Sequence, residues 1–219
     1  MDLNQAIQTR RSIRLFTPGL VSKDAIEQLI GAATQAPSAC NMQAWKFIVV
    51  DEPKIKQAIV DRGGSVIINN SPQGILVLYD NRTKNIGYND DVQSASAAIQ
   101  NILLKATELG LGACWTCHLP TKKSLRKLLD IPSSFSPIAY VLIGHPKSTT
   151  ITDVPRKYKL EEILSYNSFN KNWPVDSVNL FILYLKKFLI TAYNLTPVFV
   201  KKLFLNKFLD KNFVKKFKN

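Results

Sequence analysis

The most informative stretch of this chain reads Ala36-Pro37-Ser38-Ala39-Cys40-Asn41-Met42-Gln43-Ala44-Trp45. Its hydroxyl and amide side chains lead into an apolar strand, a combination that suits the polar edge of a flat cofactor. A basic segment precedes it and reads Arg10-Arg11-Ser12-Ile13-Arg14. Because each guanidinium group donates charge-assisted hydrogen bonds in pairs, this segment suits a phosphate. The two segments together predict a site for a flat, phosphorylated cofactor.

Each segment has a plainer interpretation when it is taken singly. Arginines at a helix C-terminus are favoured by the helix dipole and often form a solvated cluster. A short amide-rich stretch is often only a loop. The presence of both segments in one chain is what favours the cofactor site.

The composition indicates one sizeable domain with a basic appendage. The 219 residues are 46% hydrophobic and 21% charged, which is ordinary for a globular protein. The net charge of +13 is unusual and uneven, because residues 175–219 hold nine lysines and two aspartates, a net +7. Residues 1–174 hold 20 basic and 14 acidic residues, a net +6. We therefore predict a domain over 1–174 and a basic, helical C-terminal extension over 175–219.

Targeting signals are not apparent in the sequence. Met1 leads straight into a helical pattern without an apolar signal segment, and no stretch reaches about 18 uncharged apolar residues. Three cysteines are too few for a disulfide scaffold and fit a reducing compartment. We expect a cytoplasmic protein.

Hydrophobic periodicity predicts alternating helices and strands. Helices capped by Asp2 and Ser22 come first, and a long helix runs from about residue 90 to 109 before Gly110. Shorter helices are expected at 54–60 and 121–129. Apolar runs predict strands at 45–50, 74–79, 113–119 and 138–144. Such alternation alone would indicate an α/β fold.

Five motifs in order resemble the signatures of the nitroreductase family of FMN-dependent oxidoreductases. The first two are the segments at 10–16 and 37–45, with Ala44 where the family usually has Pro. A long helix from Asp91 to Gly112 and a strand ending in Gly144-His145-Pro146 follow, and the family usually has Gly-Tyr-Pro at the latter. The fifth is a basic pair before Leu160-Glu161-Glu162-Ile163. The resemblance spans roughly residues 1–170.

The resemblance implies a fold that differs from the plain periodicity. The family fold is α+β, a mainly antiparallel sheet wrapped by helices, with the long helix in the core of a homodimer. We therefore expect an α+β fold with the helical basic extension added to it.

The resemblance also implies an FMN site shared between two subunits. Arg10, Ser12 and Arg14, with Arg156 or Lys157, would hold the phosphate and ribityl chain, and Arg11 would lie beside them. The backbone around Thr116, Cys117 and His118 would face flavin N5, and Gly63 and Gly64 would approach the ring edge. The other subunit would contribute Pro37, Ser38, Ala39, Asn41 and Gln43.

The implied activity is the transfer of hydride from NAD(P)H through flavin N5 to an electron-poor acceptor, such as a nitroaromatic or quinone-like compound. No side chain need act as a catalytic acid or base, because the flavin carries the chemistry. The alternative is a membrane- or partner-binding protein that uses a nitroreductase-like scaffold with little turnover.

The run Cys114-Trp115-Thr116-Cys117-His118 has competing interpretations. It matches the attachment motif of c-type haem and the spacing of a redox dithiol. In a strand the two cysteine Cα atoms would lie about 10 Å apart, beyond the roughly 7 Å reach of a disulfide. Zinc binding with Cys40 and His118 is a further alternative. We favour small apolar side chains that line a sheet.

The extension 175–219 interleaves lysines with apolar and aromatic residues at helical spacing, with a break at Pro197. It would wrap a partner subunit, lie on an anionic membrane surface, or touch an acidic partner. The second of these would place the protein peripherally on the inner membrane surface. No nucleic-acid motif is present, and no nucleic-acid partner is expected.

Overall fold

The computed structural model describes residues 1–83, 85, 87–148, 155–170, 173 and 179–201. These residues divide into two compact units. The first takes in the described residues up to 148 together with 197–201, and the second takes in those between 155 and 196. Each unit is described by itself.

The first unit is built on a four-stranded sheet. Its strands are β1 (Trp45–Val50), β2 (Gln73–Asp80), β3 (Gly112–Thr116) and β4 (Phe135–Gly144), in the order β1-β2-β4-β3. Every neighbouring pair is antiparallel. The predicted antiparallel α+β fold is therefore confirmed. Helices and strands do alternate along the chain, but the strands do not form the parallel sheet of an α/β fold.

The strand β2 explains why periodicity alone pointed to α/β. All eight of its residues are buried, with Ile75, Val77 and Tyr79 in one core cluster and Leu76 and Leu78 in the other. Successive side chains of a strand point to opposite faces, so both faces of this sheet are covered. Strands covered on both faces read as continuous apolar runs, which is the usual signature of parallel sheets.

Five helices cover the two faces of the sheet: α1 (Leu3–Thr9), α2 (Lys23–Thr34), α3 (Pro53–Asp61), α4 (Asp90–Glu108) and α5 (Lys122–Leu128). The predicted caps are formed, because the side chains of Asp2 and Ser22 accept hydrogen bonds from Gln5 N at 2.8 Å and Ala25 N at 3.2 Å. Beyond α4, Gly110 adopts a φ of 69° that favours glycine and closes the helix.

The helix α4 lies at the centre of the first core cluster. It packs against α2 and against the sheet through a fully or nearly fully buried stripe. That stripe consists of Ala95, Ala98, Ile99, Ile102, Leu103 and Ala106. On the other face, α3, α5 and the 3-10 turn Val66–Asn70 cover β2 and β4. The first unit thus has a helix–sheet–helix layering around β2 and β4.

The strand β3 is shorter than predicted, because it ends at Thr116 rather than Leu119. Cys114 is buried on the sheet, as expected, but Cys117 lies beyond the strand and is exposed. The expectation that both cysteines line a sheet is therefore wrong for Cys117.

The second unit contains a 3-10 turn, Leu160–Glu162, and the helix α6, Leu180–Leu195. The side chain of Asn179 caps α6 by accepting a hydrogen bond from Ile182 N at 3.2 Å. In the first unit, Pro197 precedes a one-turn helix α7, Val198–Val200. The rest of the predicted extension, 175–178 and 202–219, lies outside the described residues.

Candidate functional site

The basic segment lies along the β3 edge of the sheet. Ser12 forms a parallel bridge with Ala113, and the amide of Ile13 donates to the Ala113 carbonyl at 2.9 Å. Farther along, Phe16 bridges to Pro146, and the amide of Thr17 donates to His145 O at 2.9 Å. The segment therefore extends the sheet by one further edge element beyond β3.

The side chains of this segment divide into a polar set, which solvent reaches in part, and an apolar set that packs into the core. Ile13 and Phe16 pack into the core cluster beneath β4, which anchors the segment. Arg10, Arg11 and Arg14 are half-buried, and Ser12 is exposed. A cluster of guanidinium groups around an exposed hydroxyl, on a rigid backbone, suits a dianionic phosphate.

Carbonyl oxygens orient two of these arginines. Arg11 Nη1 donates to Gln8 O at 2.6 Å and to Arg10 O at 2.9 Å, and Arg14 Nη1 donates to Ser12 O at 3.2 Å. The carbonyl of Arg14 in turn accepts a bond of 3.3 Å from Asn70 Nδ2. The backbone of Arg14 is thus held from the sheet side and from the turn Val66–Asn70.

Cys114 lies beneath the basic segment. Burial raises the pKa of its thiol, and the charges of Arg14 and Arg10 and a hydrogen bond with Ser12 oppose that effect in part. These interactions place Ser12 and both arginines around the same thiol. Because burial dominates, the thiol stays protonated near neutral pH, unlike the low-pKa cysteines of redox dithiols.

The glycine pair and the segment after β3 lie together. The amide of Ser65 donates to His118 O at 2.9 Å, and the amide of His118 donates to Thr116 Oγ1 at 3.3 Å. A Cβ atom on Gly64 would meet Ile59 Cγ2 and Ile59 O at 2.9 Å, so only glycine fits there without a shift. The hydrogen bond of Ser65 therefore holds the end of the glycine pair beside His118.

These elements form one continuous half-site along the β3 edge. The basic segment lies at the start of β3, the residues 116–118 lie at its end, and the turn that follows the glycines touches both. Cys117 and His118 are exposed at this edge. We call this arrangement of residues 10–14, 63–70 and 116–118 the β3-edge half-site.

The loop 37–43 is docked on α4 and precedes β1. The amide of Ala39 donates to Ser94 Oγ at 3.1 Å, and the amide of Gln43 donates to Ser38 Oγ at 3.0 Å. Gln43 Nε2 also donates to Asn41 Oδ1 at 2.8 Å. Cys40, Asn41 and Gln43 have φ values of 50°, 55° and 48°, a left-handed conformation that non-glycine residues seldom adopt. Strained, exposed amide residues held this way commonly serve a ligand.

The loop 37–43 and the basic segment of the half-site lie at diagonally opposite corners of the sheet. The start of β1 is level with Tyr79 and Ser136, whereas Ser12 is level with Ala113 and Ile143 on the far edge. Four strand spacings across and seven residues along β4 correspond to about 30 Å. One copy of the chain therefore does not bring the two predicted binding segments together.

The remaining predicted site residues lie elsewhere. Arg156 and Lys157 belong to the second unit, where Lys157 Nζ lies 4.7 Å from the ring centroid of Tyr158. Cys40 is on the loop 37–43 and is far from Cys114 and Cys117, so the hypothetical zinc set is not assembled. Among the described residues, no group of three His, Cys, Asp or Glu is placed to hold a metal ion.

Three contacts of the site were not predicted from sequence. They are made by Ser65 with His118, by Asn70 with Arg14, and by Ser94 with Ala39. The only sequence signal was the polar run Asn69-Asn70-Ser71 after two isoleucines, which marks a turn but not its partner.

The chain was compared with protein-family models and with known proteins. The model described as "Nitroreductase family" matches residues 7–73 and 60–145, which together extend over more than half of the chain. A protein of Archaeoglobus fulgidus, proposed to be an NADH dehydrogenase/NAD(P)H nitroreductase, is 39% identical over 145 residues, 64% of this chain and 83% of that protein.

Two solved structures are similar in fold and sequence. A proposed NADH dehydrogenase/NAD(P)H nitroreductase from Parabacteroides distasonis superimposes with a TM-score of 0.67 and 29% identity, covering 76% of this chain and 98% of the other. A proposed nitroreductase from Desulfovibrio desulfuricans, solved in complex with FMN, has a TM-score of 0.62 and 31% identity over 76% of this chain and 97% of its own.

Proposed function

Because this chain belongs to the nitroreductase family and is an oxidoreductase that uses FMN and NAD(P)H, we propose that it reduces a small electron-poor acceptor. The acceptor class is a nitroaromatic or quinone-like compound. Bound FMN would supply the hydride-transfer chemistry between NAD(P)H and the acceptor. The protein's own contribution is to bind and orient the flavin and both substrates.

The β3-edge half-site carries this proposal. Arg10, Ser12 and Arg14 surround one position at the sheet edge, and their backbone is fixed by Ala113 and Asn70. We assign the FMN phosphate to these three residues, with Arg11 beside them. The exposed backbone of 116–118 and the glycine pair are assigned to the ring. Arg156 and Lys157 are assigned to the phosphate by the resemblance alone.

No side chain of the half-site is assigned an acid–base role. The Cys114 thiol is buried and has a raised pKa, so it is not a nucleophile near neutral pH. This agrees with a reaction in which the cofactor carries the electrons and the side chains position it.

We propose further that two copies of the chain complete each site. By strand spacing, the loop 37–43 lies about 30 Å from Ser12 and about 20 Å from Thr116 of its own copy, so we assign the contact with the flavin ring to the loop of a second copy. A twofold arrangement then creates two equivalent sites, because an isologous interface repeats every contact. The exposed amides of Asn41 and Gln43 would bond the polar edge of the flavin.

The first test is an absorption spectrum of the purified protein, followed by heat release and identification of the chromophore. The expected result is a flavin spectrum, release of FMN, and NAD(P)H oxidation that depends on an added nitroaromatic or quinone. Arg14→Ala should bind FMN at least tenfold more weakly, because a charge-assisted pair to the phosphate is lost.

Lys23→Ala is the matched control for this test. It removes one positive charge from a fully exposed pair with Glu27, an interaction that contributes little. Its FMN affinity should equal that of the parent. A protein that stays colourless when FMN is added, or an Arg14→Ala variant that binds FMN as tightly as the parent, would show that the assignment is wrong.

A further inference from the structure

The helix α6 displays large apolar side chains that the described chain leaves uncovered. It has 16 residues, and Phe181, Tyr184, Phe188 and Leu189 are 75%, 66%, 68% and 56% exposed. Soluble monomers seldom leave such a contiguous apolar surface in water unless it binds something. The exposed apolar surface of this helix therefore needs a binding partner.

The helix lies beyond the residues that the family model matches. The family model ends at residue 145, and the Parabacteroides distasonis structure covers 76% of this chain although 98% of its own length is matched. The oxidoreductase activity therefore does not explain what the exposed apolar surface of α6 binds.

The residues of α6 are arranged as in helices that lie at a lipid–water interface. At 100° per residue, one half of the circumference is wholly apolar, and the lysines Lys186 and Lys187 lie in the other half. The apolar half consists of Ile182, Phe181, Tyr184, Leu185, Phe188, Leu189, Ala192, Tyr193 and Leu195. Phenylalanine, tyrosine and flanking lysine are the residues expected at that depth.

The length of α6 favours a helix that lies flat on the surface. Sixteen residues at 1.5 Å each give about 24 Å, which is less than the roughly 30 Å of hydrocarbon in a bilayer. Among the described residues, no helix is both long and apolar enough to span a membrane.

Charge decides between a lipid surface and a second copy of the chain. Residues 179–201 hold three lysines and no acidic residue, and residues 179–219 hold nine lysines and one aspartate, a net +8. In a symmetric contact, the α6 helix of a second copy would bring the same two lysines, Lys186 and Lys187, and no acidic residue to pair with them. Anionic headgroups supply the complementary charge, and each lysine near such a surface strengthens binding about fivefold.

We propose that α6 docks the protein on an anionic membrane surface, with its apolar half inserted at the headgroup level. The experiment is flotation of the full-length, flavin-loaded protein with phosphatidylglycerol-containing vesicles and with neutral phosphatidylcholine vesicles. Binding to the anionic vesicles should be at least tenfold stronger and should weaken as salt is raised, because salt screens the lysines.

Matched variants locate the contact. Phe181→Ser with Phe188→Ser should lower vesicle partitioning more than tenfold, because two inserted rings are lost. Lys186→Gln with Lys187→Gln should lower it roughly 25-fold on anionic vesicles only. The control, Tyr88→Ser with Tyr166→Ser, removes two aromatic residues that are 76% and 78% exposed outside the helix, and it should bind as the parent does.

The proposal is overturned if the parent does not float with anionic vesicles, or if the Phe181 and Phe188 variant floats equally well. Sedimentation velocity identifies the competing occupant, since a loss of oligomer in this variant alone would assign the helix to a second copy. Bound flavin is measured on every sample. Because these variants lie outside the half-site, failure of membrane binding with flavin retained leaves the proposed oxidoreductase function standing.

Discussion

At the residue scale, the phosphate assignment depends on how one buried thiol sits beneath the basic segment. Cys114 is 2% exposed and hydrogen-bonded with Ser12, and the charges of Arg10 and Arg14 act on its thiol. A small side chain at this position lets the segment approach β3 closely enough for the Ser12 and Ala113 bridge. A larger residue would push the arginines away from the sheet edge.

Thiol labelling tests this arrangement. In the native protein, a thiol reagent should modify the exposed Cys40 and Cys117 at least a hundredfold faster than Cys114, because burial both blocks access and raises the pKa of the Cys114 thiol. All three should react at once in denaturant.

The variant Cys114→Ser is the control for labelling and should retain both fast reactions. The labelled peptides are identified by mass spectrometry. If all three cysteines of the native parent protein are labelled at the fast rate, Cys114 does not lie beneath the basic segment. The location of the phosphate site would then have to be revised.

At the element scale, α3 and the turn before β2 are joined by a buried lysine. Lys56 Nζ donates to Ser71 O at 2.7 Å and to Pro72 O at 2.8 Å, and its residue is 6% exposed. Burial lowers the pKa of Lys56, and the charge of Asp51 partly offsets this effect. The same turn carries Asn70, so this lysine supports the half-site from behind.

Replacing this lysine should destabilise the protein. Lys56→Met leaves two buried carbonyls without a donor, which should cost about 1–3 kcal/mol in the free energy of unfolding measured in urea. Lys54→Met, on the same helix but exposed, should change it by less than about 0.5 kcal/mol. Equal midpoints for the two variants would mean that the Lys56 contacts do not contribute to stability.

At the scale of the whole molecule, the proposed two-copy site follows from the diagonal placement of two segments on the sheet. The loop 37–43 lies at the start of β1 and the basic segment lies beyond β3. Two copies in the proposed symmetric arrangement would bring these segments together without a change of fold.

Subunit complementation tests that arrangement. Arg14→Ala and the double variant Asn41→Ala with Gln43→Ala should each be nearly inactive alone. After subunits are exchanged in an equal mixture, half of the dimers are mixed and each has one intact site, so activity should recover to about a quarter of the parent's.

Mixing each variant with itself under the same conditions is the control and should restore nothing. If the mixture of the two variants stays inactive although both bind each other, both segments must serve a site within one copy. The two-copy proposal would then be wrong.

The sequence by itself determined the local elements and the order of the binding motifs. Asp2 and Ser22 cap their helices and Gly110 ends α4, as expected, because these signals act over three or four residues. The motifs also indicated the family, although Ala44 and His145 depart from its usual pattern.

Only the tertiary structure decided the strand order, the contact of the basic segment with β3, and the distance between the two binding segments. Ser12 and Ala113 are about a hundred positions apart, and their pairing depends on which edges of the sheet remain open once both faces are covered. Hydrophobic patterns report which residues are buried but not which strands are neighbours, and for that reason periodicity alone suggested a parallel sheet.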